Sequence, residues 1–300
     1  MKRLYIAILF TVAQVLTAQA QLLWRVTGNG IAEPCYLVGT HHIAPATFID
    51  SIPGLSDALA RSKQVFVELE ADSMRSHEAQ LRIAAMCFAP ADSTLDRLLT
   101  PDELTLVQRV VTDYMGDLLT LEMLKMLKPV AITTELQTTE AQKYFPEAAQ
   151  AQIDEGIQLR ARRLGIPVKS LETLDMQLAT LFDTPLDVQA QDLVEVCRND
   201  SLFIDYNRRL ALLYRQQDLG SIWILMNDDE LGTDQDELER LIYSRNRRWT
   251  EQLQYEFAEQ PTLVAVGAGH LPGEQGLIAL LRKRGFTVEP YYKQLCGTSQ

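Results

Sequence analysis

Three of the four histidines in this chain fall into two copies of one local pattern. Tyr36-Leu37-Val38-Gly39-Thr40-His41-His42 is an apolar run followed by Gly-x-x-His, and Leu263-Val264-Ala265-Val266-Gly267-Ala268-Gly269-His270 repeats it near the other end. Glycine lets the backbone leave a strand without a Cβ clash, and the imidazole then projects from the strand's carboxyl end, where open α/β sheets place their ligands. Pro45 and Pro272 follow closely, so the chain turns away soon after each ring is presented. His41 and His42 point in different directions in an extended chain. His42 holds the position equivalent to His270, which makes it the candidate of the pair. A single strand-end histidine is more often a hydrogen-bonded structural residue; two matched copies favour a functional pair.

Carboxylates come from Val65-Phe66-Val67-Glu68-Leu69-Glu70. In a strand, Phe66, Glu68 and Glu70 share one face, with the two carboxylates about 7 Å apart. One of them can hold a metal while the other handles protons. Arg245-Asn246-Arg247-Arg248-Trp249 supplies the cations. Most of these arginines read as a solvated face balanced by Asp234, Asp236, Glu237 and Glu239. Tyr243, Asn246 and Trp249 at helical spacing pack inward, and Arg245 is the candidate to hold a carboxylate or a developing oxyanion. His77 lies on a polar helix face and reads as solvated.

The two histidine patterns lie more than two hundred positions apart, so only a sheet built from terminal strands brings them together. Strand-like segments do sit at the ends: 22–26, 35–38, 64–70, 262–266 and 286–292, with another at 167–171. Helical spacing covers 73–86, 101–115, 119–127, 140–164, 174–182, 186–198, 236–257 and 274–284. Thr100, Pro101, Asp102 and Glu103 form a helix start, and Gly285 a helix stop. The expected fold is therefore α/β, one domain over residues 21–300, with a central mixed sheet from N- and C-terminal strands and a large helical insertion at about 75–255.

Composition sets the setting. Residues 1–20 read as a signal peptide, with Lys2 and Arg3 at the start, an apolar stretch to Leu16 and Ala18-Gln19-Ala20 as the cleavage signal. The protein is thus expected to be exported, periplasmic or secreted, with no membrane span after cleavage. The formal net charge of −12 becomes −14 once the two basic leader residues are removed. Such a charge repels a phosphate backbone, which excludes nucleic acid as a partner and leaves peptides or small molecules as substrates. In an oxidising compartment Cys35, Cys87, Cys197 and Cys296 allow three pairings, of which Cys35 with Cys296 and Cys87 with Cys197 is the expectation.

The chain resembles the TraB/GumN family and its Tiki-type relatives. The likeness lies in Gly39-Thr40-His41-His42, the Val-Glu strand around Glu68, Ile153-Asp154-Glu155, Leu171-Glu172-Thr173 with Gln177, and Arg245-Asn246. It continues through Gly267-Ala268-Gly269-His270-Leu271, Gly276-Leu277 and Leu281-Arg282-Lys283-Arg284-Gly285, covering nearly the whole mature chain. The resemblance implies an α/β fold shared with Tiki-like, ChaN-like and erythromycin-esterase-like proteins. It carries His42, Glu68, Arg245 and His270 over as functional positions, while Glu70 falls where relatives vary. Some Tiki-type relatives are divalent-metal-dependent proteases, and ChaN-like relatives bind haem. The expectation is an exported metal-dependent hydrolase, peptidase-like, in which His42, His270 and Glu68 hold one zinc, manganese or cobalt ion. Glu70 would be the general base and Arg245 the oxyanion stabiliser. The alternative is a non-catalytic haem or small-ligand binding protein.

Overall fold

Six short strands position everything that follows: β1 at Leu23–Gly28, β2 at Cys35–Thr40, β3 at Gln64–Val67, β4 at Val168–Ser170, β5 at Thr262–Gly267 and β6 at Phe286–Pro290. The structure is a computed structural model and describes residues 21–116, 119–144, 151–228 and 233–292. The strands form one sheet in the order β4-β3-β5-β2-β1-β6. β4, β3, β5 and β2 run parallel to one another, while β1 and β6 add antiparallel strands on the β2 side. The expected mixed sheet from terminal strands is thus present.

The apolar runs explain the parallel part. Strands covered on both faces need hydrophobic side chains at successive positions, and every residue of β2 and β3 is buried. The register sets Thr40 opposite Gly267 and Val67 opposite Ala265. The carboxyl ends of β2, β5 and β3 therefore lie at the same end of the sheet.

The described residues divide into two compact units, one from residues up to 68, 151–171 and from 208 onward, the other from 69–150 and 172–207. The first holds the sheet and a core that includes Leu37, Phe66, Trp249, Leu253 and Val264. The second is helical, with its own core of Leu95, Val107, Val111, Leu124, Leu193 and Val194 among others. In it, Thr100 starts the helix Pro101–Met115 with a reciprocal capping box to Glu103.

Several boundaries differ from expectation. The helical unit is shorter than 75–255, because 151–171 and 208 onward belong with the sheet. β3 stops at Val67, and Glu70 precedes a short helix, Ala71–Arg75. The expected helix 140–164 is two helices, Pro129–Tyr144 and Ile153–Arg163, with 145–150 outside the described residues. Helices at Leu55–Arg61, Asp200–Arg215 and Leu219–Met226 were not anticipated. The helix Leu277–Lys283 ends as expected before Gly285, whose φ of +90° is the left-handed conformation that glycine adopts at no steric cost.

Cys87 and Cys197 are free thiols, so the expected bond between them is absent. The Cys87 thiol is instead hydrogen-bonded to the Ile83 carbonyl, and Cys197 is buried in the helical core. Cys35 is also free; Cys296 lies outside the described residues, as do residues 1–20. Among the described residues no helix is long and apolar enough to cross a membrane.

Candidate functional site

Just past the carboxyl ends of β3 and β5, Glu68 and His270 come together with Arg245. Glu68 occupies the bend after Val67, and His270 closes a single helical turn, Ala268–His270, after Gly267. The backbone N–H of Gly267 donates to Glu68 Oε1 at 2.8 Å, and Arg245 Nη2 donates to Glu68 Oε2 at 2.6 Å. His270 Nε2 stands 3.8 Å from Glu68 Oε1 and 3.3 Å from Arg245 Nη1. The guanidinium therefore bridges the imidazole and the carboxylate.

The tautomer of His270 follows from the Asn246 amide. Asn246 Nδ2 donates to the carbonyls of His270 at 3.1 Å and Gln275 at 2.9 Å, which leaves Oδ1 as the atom facing His270 Nδ1 at 2.7 Å. An amide oxygen only accepts, so Nδ1 carries the proton and Nε2 offers its lone pair toward Arg245 and Glu68. Trp249 completes the clamp: its ring lies 4.5 Å from the His270 ring and 4.6 Å from the guanidinium carbon. Arg245, Asn246 and Trp249 are all buried on the helix Ser244–Glu259. The inward packing expected of Asn246 and Trp249 is present, and Arg245 reaches the site rather than solvent.

Burial and charge fix the protonation states. Burial drives the His270 pKa down to about 4, Glu68 opposing this and Arg245 reinforcing it, so the ring is neutral at pH 7. Burial alone would raise the Glu68 pKa, but His270, Arg245 and the Gly267 N–H outweigh it and hold it below the usual range. With His270 neutral, Arg245 and the Gly267 amide carry that stabilisation.

The other pattern delivers its two rings differently. His41 is buried with no hydrogen-bond partner at Nε2, and its pKa falls to about 3 through burial and the neighbouring His42. His42 is exposed at its surface, yet the protein around it lowers its pKa while the Glu68 charge pulls the other way. The two rings meet edge-on with centroids 4.9 Å apart. Gly39 is needed for close approach: a Cβ there would lie 3.0 Å from Ala268 Cα and 3.2 Å from Ala268 Cβ. The two Gly-x-x-His segments are thus packed against each other.

Glu70 lies beyond the end of β3. The strand alternation that would place it and Glu68 on one face ends at Val67, and Glu70 belongs to the helical unit. A different carboxyl stands near: Asp154, in the first turn of the helix Ile153–Arg163, accepts from Thr40 Oγ1 at 2.5 Å. Burial raises its pKa to about 6, Thr40 opposing and Glu68 adding to the rise. Beside it, Tyr214 donates to the Gly39 carbonyl at 3.0 Å. Sequence reasoning names Thr40 and Asp154 only as motif positions, without a role, and misses Tyr214, whose side chain carries no spacing signal.

Two of the side chains carry donors of the kind a divalent ion takes. His270 presents an Nε2 lone pair with Nδ1–H anchored, the arrangement that orients a ligating imidazole. Glu68 is ionised, and His42 adds a second neutral ring within its electrostatic reach. Among the described residues, however, no three His, Cys, Asp or Glu side chains are gathered closely enough to hold an ion as they stand. The cation present between His270 and Glu68 is the guanidinium of Arg245.

A sequence model of the TraB/PrgY/gumN family matches residues 22–290. No curated protein and no solved structure matches the chain.

Proposed function

Because the chain belongs to the TraB/PrgY/gumN family, we propose that it is an exported hydrolase of peptide-like substrates that depends on a divalent metal. The observation that supports this most is the neutral His270, its Nε2 lone pair aimed at an ionised Glu68 beside a buried guanidinium. His42, Glu68 and His270 would hold the ion, zinc, manganese or cobalt. Such an ion supplies Lewis acidity toward a scissile carbonyl.

The remaining roles belong to the chain itself. Asn246 holds the His270 tautomer and ring plane through its three hydrogen bonds. Arg245 is the group that can pair with a substrate carboxylate or a developing oxyanion when it turns from Glu68. Beside the expected base Glu70, Asp154, near neutral in pKa and held by Thr40, is a second carboxyl suited to proton transfer. Two carboxyls whose surroundings push their pKa values apart suit opposite roles in acid-base chemistry.

Hydrolysis of a fluorogenic peptide mixture, with and without chelator, tests the reaction, and metal content of the purified protein tests the ligands. Hydrolysis should be lost with chelator, and both His42→Ala and His270→Ala should lose bound metal. Metal content unchanged in both variants would remove the proposal. Haem uptake seen as a visible absorption band, with no peptide cleavage, would favour a binding protein instead.

A further inference from the structure

The charge of the molecule is not shared between its two units. Residues 69–150 and 172–207 carry 21 Asp+Glu against 8 Lys+Arg, a formal −13, whereas the sheet unit without residues 1–20 carries 19 against 18. The helical unit also holds a cleft of about 420 Å³ between its helices His77–Cys87 and Leu174–Phe182. Ala85 and Met86 line it from the first helix, Leu178 and Ala179 from the second. The two alanines are why the gap exists, since larger side chains at those positions would fill it. Met86 is unbranched and can follow the shape of an inserted group. Leu81, Met176 and Leu181 add exposed apolar surface on the same two helices. Three charged side chains complete the lining: Arg82 is paired with Asp175, which leaves Asp183 without an ion pair among the described residues.

We propose that this cleft docks a cationic amphipathic helix of a partner protein. Apolar anchors at i, i+3 and i+4 would sit between the two helices, over Ala85, Met86, Leu178 and Ala179. Lysines and arginines flanking them would face the carboxylates of a unit whose negative field draws a basic segment in and fixes its orientation. Charge also selects among occupants. A second copy joined through the same face would set −13 against −13, and an anionic lipid surface is repelled for the same reason. The inference does not rest on the hydrolase reading, because every residue it uses belongs to the helical unit.

The test titrates synthetic peptides into the full chain by calorimetry: one with leucines at helical spacing and lysines elsewhere, its glutamate counterpart, and a scrambled lysine and leucine sequence of the same composition. The first should bind saturably, and its affinity should fall as salt is raised. Ala85→Phe and Ala179→Phe each fill the cleft from a different helix and should weaken that binding about tenfold or more. Asp183→Lys, at an exposed position, should weaken it several-fold and keeps the test open should a filled variant not fold. Equal binding of the glutamate or the scrambled peptide overturns the inference. So does binding that no folded variant weakens, which would place the peptide elsewhere on the chain. A dimer in sedimentation that Ala179→Phe abolishes would assign the cleft to a second copy and also overturns it. Absence of binding overturns it and leaves the hydrolase reading standing, while docking without peptide hydrolysis removes that reading alone.

Discussion

Two carboxyls at the sheet's end differ in how they are held, and the difference gives a pH test. Glu68 has two charge-assisted or amide donors, whereas Asp154 has one hydroxyl and a carboxylate nearby. The Asp154 pKa is about 6 folded against 3.8 as an ordinary aspartate. A carboxyl raised on folding contributes its full stability below the unfolded pKa and loses it as pH rises through the folded value, here between about pH 4 and 6. Above pH 6 the folded protein therefore carries a cost of up to about 3 kcal/mol, at ~1.4 kcal/mol per pKa unit. Asp154→Asn keeps an acceptor for Thr40 and removes that cost. Its Tm should exceed wild type by several degrees at pH 7.5 and by far less at pH 4, measured by calorimetry. Equal Tm differences at both pH values would show that Asp154 is not held near neutrality. At this scale residue type and spacing single out Glu68, Arg245 and His270, which the fold brings into contact. The pairing of Thr40 with Asp154 and the presence of Tyr214 are not legible there, because a hydroxyl donating to a group on another element leaves no local pattern.

Among the elements, the meeting of β2 with the turn Ala268–His270 matters most. Gly39 was read from the sequence as an exit from the strand; the structure shows it inside β2, leaving room for Ala268. Gly39→Ala puts a methyl 3.0 Å from a backbone atom of that turn, so the turn has to shift. The expected cost is about 1–3 kcal/mol in urea unfolding, the range for overpacking in a filled core. A stability equal to wild type would mean the turn yields freely. Strand existence was legible throughout, because buried parallel strands need continuous apolar runs. Strand length was less so: Gln64–Glu70 continues to alternate, yet Glu68 leaves the sheet to meet Arg245 and Gly267, and tertiary pairing overrides the pattern. The helix Asp200–Arg215 escaped notice for the opposite reason, since its two arginines and an asparagine midway dilute an otherwise helical spacing.

For the molecule as a whole, two units with separate cores give a spectroscopic test. Trp24, Trp223 and Trp249 all belong to the sheet unit. Tryptophan fluorescence thus follows that unit alone, while far-UV circular dichroism follows both. The two denaturation curves should not coincide, as expected when two cores do not melt as one. Leu193→Ala, at a fully buried position of the helical core, should move the dichroism curve by about 3 kcal/mol and leave the fluorescence midpoint in place. Coincident curves in wild type and variant would show one cooperative structure instead. β5 sets a further condition on how the molecule comes into being. It alone joins the pair β4-β3 to the trio β2-β1-β6, and it is made of residues 262–267 of 300. A chain emerging from its amino end holds half-sheets with open hydrogen-bonding edges until its last seventh or so arrives. The end of the sheet that carries Glu68 and His270 is therefore assembled only at the close of synthesis, once β5 closes the gap between the two halves.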